Sequence, residues 1–160
     1  MKNLVIGQSG GPTAVINASL YGAVKAFRES GADGHVLGMI NGIEGFLADH
    51  VVDLSTDLSD KELELLKLTP AAYLGSCRYK LPADLDSEVY PAIFDNFREM
   101  NIGYFLYVGG NDSMDTVDKL SRYAEKIGSD VKFIGIPKTI DNDLVLTDHT
   151  PGFGSAAKYV

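Results

Sequence analysis

Tyr104-Phe105-Leu106-Tyr107-Val108-Gly109-Gly110-Asn111-Asp112-Ser113 is the stretch whose reading settles the fold class. The apolar run is too short for a helix and suits a strand buried on both faces. Two glycines follow at once, and Asp112-Ser113 offer a cap for the amphipathic helix read from Met114 to Ile127 and closed by Gly128. Upstream, Glu88 to Met100 reads as a helix, with Pro91 tolerable in its first turn and Gly103 beyond its end. Downstream, Lys132 to Ile136 reads as a further strand, broken by Pro137.

The pattern repeats toward the N-terminus. Met1 to Ile6 reads as a strand, Ser9-Gly10-Gly11-Pro12-Thr13 as a turn, and a helix begins at Ala14 and ends before Gly31. Val15, Ala18, Ala23 and Phe27 can share its broad apolar face. Val36 to Ile40 is another strand, Gly42 through Asp49 a loop, and Ser59-Asp60-Lys61-Glu62 a capping box ahead of Leu63 and Leu66. Strands alternating with helices predict a three-layer α/β domain over residues 1–160, an open, mostly parallel sheet with helices on both faces. Ligands of such sheets bind beyond the carboxyl ends of the strands. Gly10-Gly11, Gly109-Gly110 and Thr139 to Asp143 each follow a candidate strand, so they are expected at one rim.

Composition narrows the function. The chain has 160 residues, a formal charge of −8 and a pI near 4.7. An acidic surface argues against nucleic acid or an anionic membrane as the main partner. It also requires a phosphate site to make its own local positive field. Cys77 is the single cysteine, which excludes an internal disulfide and a cysteine-built zinc site. No apolar run approaches the roughly 20 residues of a membrane span, so a cytoplasmic protein is expected.

Three segments carry chemistry. Ser9 to Thr13 joins a strand to a helix, where glycine lets backbone approach a ligand and the helix start offers free N–H groups. It matches neither the phosphate-loop pattern with a Gly-Lys pair nor GxGxxG, and read alone it is an anion loop or a tight turn. Gly109 to Ser113 repeats the logic: either a cap alone, or a phosphate-ready loop whose Asn111 and Asp112 add hard oxygen ligands suited to Mg²⁺. Pro137-Lys138-Thr139-Ile140-Asp141-Asn142-Asp143 is the most informative. If extended, Thr139, Asp141 and Asp143 line one side, able to hold a sugar hydroxyl and take its proton, while Lys138 faces elsewhere or reaches a phosphate. The alternative is an acidic turn bent at Asn142. Arg78, after Gly75-Ser76, is a candidate phosphate clamp, and Lys80 a weaker one. His35, His50 and His149 lack metal-like spacing, and Tyr104, Phe105 and Tyr107 read as core.

Together these segments resemble the phosphofructokinase family. The match runs through Gly10-Gly11-Pro12 with Asn17, Gly75-Ser76-Cys77-Arg78, Gly109 to Ser113, Pro137 to Asp143 and Thr150-Pro151-Gly152-Phe153, five ordered motifs over nearly the whole chain. The resemblance implies the Rossmann-like N-terminal domain of that fold. It also implies phosphoryl transfer to the 1-hydroxyl of fructose 6-phosphate with Mg²⁺, a step of glycolysis. Asp141 resembles the general base, Asp143 and Thr139 its companions at the sugar, and Gly11, Gly110 and Arg78 donor-phosphate contacts. Asp112 and Lys138 stand where ATP-using members carry glycine, which resembles the pyrophosphate-dependent branch. A carboxylate about 4 Å from the nucleotide α-phosphate costs roughly 4 kcal/mol before screening, about a thousandfold in affinity. Many members carry aspartate at the position of Asn111, so the metal is expected to lean on Asp112 or on pyrophosphate itself. The family runs about twice this length or more. A second, sugar-binding domain is therefore expected outside these residues, the chain is expected to be weakly active or inactive alone, and the complete protein is expected to be a homo-oligomer, a dimer or tetramer. The rivals are an ATP-dependent, nucleotide-binding phosphofructokinase, a non-catalytic phosphate- or nucleotide-sensing module, and a dinucleotide-binding oxidoreductase domain, disfavoured because no GxGxxG follows the first strand.

Overall fold

The computed structural model describes residues 2–160. Five strands and six helices follow one another as β1 Asn3–Gln8, α1 Ile16–Glu29, β2 Val36–Met39, α2 Gly42–Leu47, β3 Val51–Asp53, α3 Asp60–Leu66, α4 Val89–Glu99, β4 Ile102–Gly109, α5 Asn111–Ile127, β5 Lys132–Pro137 and α6 Phe153–Tyr159. They form one sheet in the order β3-β2-β1-β4-β5. All pairings are parallel except β2 with β3. The open, mostly parallel sheet is the expected one.

Its two faces carry separate cores. Leu4, Ile6, Leu106 and Val108 point to one side, against Ile16, Leu20 and Val24 of α1 and Leu63 and Leu66 of α3. Val5, Phe105 and Tyr107 point to the other, against Phe46 of α2, Phe94 and Phe97 of α4 and Leu120 of α5. The alternation along β1 and β4 is the two-residue period of a strand apolar on both faces. Aromatic rings dominate the second core; Phe97 lies 5.4 Å from Phe46 and 5.6 Å from Phe105 between centroids.

Several local expectations change. The first helix starts at Ile16, and its buried line is Ile16, Leu20 and Val24, with Val15 and Ala18 only half-buried. Residues 42–49, expected as a loop, contain α2 and lead into β3. Asn41 and Gly42 both take left-handed backbone (φ 58 and 59), a reversal tight enough to hide a short helix from propensity. A Cβ on Gly42 would stand 2.7 Å from the Tyr107 hydroxyl. Tyr104 is 44% exposed, so only Phe105 and Tyr107 of that group are core. The capping box holds, with the Ser59 hydroxyl accepting from the Glu62 amide and Glu62 accepting from the Ser59 amide. The last helix is entered at Gly152, with Ser155 in its first turn. The strand expectation at Met1 lies outside the described residues.

Candidate functional site

Strand register delivers the site. Gln8 is level with Val108, and Gly109 with Pro137, so β1, β4 and β5 end together. Residues 9–11, 110–113 and 138–143 therefore leave the sheet at one rim, as expected.

The N-terminal loop is tied to a fourth segment. The Gly10 amide and the Ser9 hydroxyl both donate to the Cys77 carbonyl (3.2 Å each), and the Ser76 hydroxyl donates to the Gly10 carbonyl at 2.5 Å. Arg78 thereby stands beside Gly11. Beneath, two buried amides knit the same parts. Gln8 Nε2 donates to Asn17 Oδ1 at 2.9 Å, and its Oε1 accepts from the Leu74 amide at 2.9 Å. Asn17 Nδ2 donates to the carbonyls of Thr69 and Ala71, both at 2.8 Å. A buried amide on an apolar helix face, Asn17 among Ile16, Leu20 and Val24, is the sequence signal for this clamp, whose backbone partners lie more than fifty residues away. The Tyr107 hydroxyl, 3.7 Å from Cys77 Sγ, completes the floor; burial pushes its pKa up.

The turn after β4 is tighter than a loop. α5 begins at Asn111 rather than Met114, so Asn111, Asp112 and Ser113 form its first turn. A Cβ on Gly109 would lie 1.9 Å from Ser113 Oγ, which is why glycine must stand there. No side chain caps α5, which leaves its first amide hydrogens for an anion.

The segment after β5 corrects a geometric expectation. Residues 139–143 are not extended: the Asp141 amide donates to Thr139 Oγ1 at 3.0 Å, and Asn142 takes φ 54, with its amide bridging to Asp148 and Thr150. The bent alternative is the observed one. Even so, Thr139, Asp141 and Asp143 line a common cleft, and Asn111 Nδ2 donates to Asp143 Oδ2 at 3.3 Å. Lys138 is buried, with its amide bonded to the Gly109 carbonyl and its Nζ donating to the Gly11 carbonyl. Burial without a carboxylate partner lowers its pKa.

Two adjoining clefts result. One, of about 390 Å³, is lined by Gly10, Gly11, Arg78, Gly110, Asp112 and Lys138 among others. The other, of about 250 Å³, is lined by Thr13, Thr139, Asp141 and Asp143. They share Gly11, Gly110, Asn111 and Lys138 as a common wall. Lys80, a weaker candidate in the sequence, pairs with Asp112 at 3.2 Å. Thr13, passed over in the sequence, has a buried hydroxyl with no hydrogen-bond partner among the described residues. A larger hollow of about 400 Å³, against Lys2, Asn101 and Gly128, lies at the strands' amino ends, where no candidate residue falls.

A glycine-lined cleft adjoins a carboxylate-bearing cleft over the carboxyl rim of a mostly parallel sheet, in an α/β domain. The family model described as phosphofructokinase matches residues 3–160, and the chain belongs to the phosphofructokinase family. It is 46% identical to the pyrophosphate--fructose 6-phosphate 1-phosphotransferase of Halomonas elongata over 99% of this chain and 38% of the relative. An ATP-dependent 6-phosphofructokinase of Lactobacillus helveticus is 29% identical, over 99% of this chain and 45% of that relative. The crystal structure of a pyrophosphate-dependent phosphofructokinase from Nitrosospira multiformis matches with a TM-score of 0.91 and 44% identity, over 99% of this chain and 39% of that one. The chain thus spans under half the length of these relatives. No helix among the described residues is long and apolar enough to cross a membrane.

Proposed function

We propose that this chain is the phosphate-donor domain of a phosphotransferase that moves a phosphoryl group from pyrophosphate to the 1-hydroxyl of fructose 6-phosphate. The observation that carries the reading is the common wall: a donor cleft and an acceptor cleft meet at Gly11, Gly110, Asn111 and Lys138. A diphosphate in the larger cleft is held by amide hydrogens at Gly11 and Gly110 and by the Arg78 guanidinium. Its transferring phosphorus then lies against the wall, with the sugar hydroxyl on the far side. Asp141 takes the hydroxyl proton, Asp143 and Thr139 orient the sugar, and Lys138 offsets charge on the moving phosphoryl group. Phosphoryl transfer asks the protein for positioning and charge stabilisation rather than covalent chemistry, and this arrangement supplies both.

Donor choice follows from Asp112 and Lys138. A carboxylate at the donor cleft repels the phosphate that would link a nucleoside, while a buried cation at the wall suits a compact dianion pair. Four relatives named for pyrophosphate share 44–46% identity with this chain and a fifth shares 31%, against 29–30% for two named for ATP.

Mg²⁺ fits as an ion that arrives with the diphosphate. Among the described residues no three His, Cys, Asp or Glu side chains stand together as a metal cage. Asp112 and the Asn111 amide oxygen supply hard oxygens at the donor cleft, and Mg²⁺ ordinarily keeps waters and phosphate oxygens alongside one or two carboxylates. When bound it would neutralise developing charge on the phosphates. The reading places the sugar 6-phosphate on a second domain, the complete protein in a homo-oligomer and the reaction in cytoplasmic glycolysis. The test is a donor assay on a full-length phosphofructokinase carrying this segment. Turnover with pyrophosphate above that with ATP is expected; ATP turnover equal or higher overturns the donor assignment.

A further inference from the structure

The Lys80–Asp112 pair is the one ion pair that touches the donor cleft, through Asp112, among the described residues. Its two ends come from different elements: Asp112 from the first turn of α5, Lys80 from the strap that also carries Arg78. That strap is fixed at both ends. Upstream, Ser9, Gly10 and Ser76 bind it to the N-terminal loop. Downstream, Leu81 is buried, and its carbonyl accepts from Lys119 Nζ of α5 at 3.0 Å. Lys80 is therefore delivered to Asp112 by an anchored backbone rather than by a free loop.

We infer that Lys80 is a donor-specificity residue, acting through Asp112, for diphosphate over nucleoside triphosphate; this rests on the proposed function above. The reasoning is electrostatic. Asp112 alone repels every phosphate donor, diphosphate included. Paired with Lys80 at 3.2 Å, it presents little net charge to a compact diphosphate lying deeper in the cleft, between Gly11 and Arg78. The bridged side chains meanwhile stand on the solvent side, the side toward which, on this proposal, a donor longer than diphosphate extends. Lys80 thus removes the cost of Asp112 for the small donor and keeps its obstruction to the large one. Both side chains are more than 70% exposed, so the effect is modest and sensitive to salt.

The experiment is a double-substitution cycle, Lys80→Gln with Asp112→Asn. The first readout is inorganic diphosphate binding to this chain, by calorimetry or ³¹P resonance. The second is KM and kcat for pyrophosphate in a full-length phosphofructokinase carrying this segment. Lys80→Gln is expected to weaken diphosphate about fivefold, the upper end for an exposed pair, chiefly in KM. In the Asp112→Asn background the same change should cost less than twofold. Lys80→Arg should restore affinity, and the wild-type advantage should shrink above about 0.5 M salt. An equal loss in both backgrounds overturns the assignment, as does no loss at all, or a gain in ATP use from Lys80→Gln of the size Asp112→Gly gives. Should the unsubstituted protein prefer ATP, the donor reading fails while the binding cycle still decides Lys80: coupling to Asp112 sustains it, additivity removes it.

Discussion

Asn17→Ala tests whether the site is held by the buried amide clamp rather than by its loops. The side chain is 1% exposed and makes four hydrogen bonds. It donates to Thr69 and Ala71 and accepts from Gln8 Nε2 and the Tyr73 amide, at 2.8–2.9 Å. After truncation, Gln8 keeps its bonds to the Ile16 carbonyl and the Leu74 amide. Thr69, Ala71 and Tyr73 are exposed residues, so water replaces part of what they lose. At about 1 kcal/mol net per hydrogen bond, with two to four bonds uncompensated, the loss is about 2–4 kcal/mol. For a domain of this size that lowers Tm by about 5–15 °C. Urea and thermal unfolding followed by circular dichroism measure it. Because residues 69–74 lead straight into Gly75 to Arg78, diphosphate affinity should fall with stability. Gln8→Leu should be non-additive with Asn17→Ala, since the two share a bond. A Tm change below about 2 °C, or full additivity, would refute the clamp.

Asp141→Ala in a full-length phosphofructokinase carrying this segment should lower kcat by about 10²–10⁴-fold and leave KM within a few-fold, as expected of a base acting in the transition state; steady-state kinetics with pyrophosphate decide, and a loss confined to KM would make it a binding residue. Asp112→Gly with Lys138→Gly should raise kcat/KM for ATP by about tenfold or more, less than an unscreened charge would give because Asp112 is 74% exposed; no gain counts against the steric obstruction assigned to Asp112. Burial lowers the Lys138 pKa, so its charge is lost at lower pH than that of an ordinary lysine. Activity should therefore decline on the alkaline side before about pH 10, the unperturbed lysine value, and a profile flat to that point would contradict it. The linkage sign is the reverse for folding: below its depressed pKa the folded chain carries the full penalty of a buried charge, so stability rises with pH from that pKa to the unfolded value. Lys138→Met should remove that rise and increase Tm at neutral pH while weakening diphosphate.

What sequence reasoning reached, and what it missed, divides along locality. β4, the glycine turn and α5 were legible because an apolar run, two glycines and a helical period lie within 25 residues of one another. Convergence of the three loops was legible because a parallel sheet brings strand ends together whatever the side chains do. α2 and β3 were not, since two left-handed residues at 41 and 42 make a reversal packed against Tyr107, Cys77 and Gln8, which lie far off in sequence. The bend at 139–143 was legible only as an alternative to an extended segment, because what selects it is Asn142 reaching Asp148 and Thr150. Nor was the clamp, whose partners are set by tertiary register alone.

The charge problem of an acidic phosphate-binding chain is resolved by where its cations go unpaired. Of 14 lysines and arginines, nine stand in ion pairs with carboxylates. Among the described residues, Arg78 and Lys138 do not, and both line the donor cleft. The other unpaired cations, Lys61, Lys132 and Lys158, are exposed and lie outside it. A net charge of −8 therefore says little about the field a ligand meets. Exposed pairs cancel one another within a Debye length of about 10 Å, whereas a buried ammonium with no carboxylate beside it is screened less. Burying Lys138 without a carboxylate is unfavourable for folding, and the diphosphate proposed for the shared wall would relieve it.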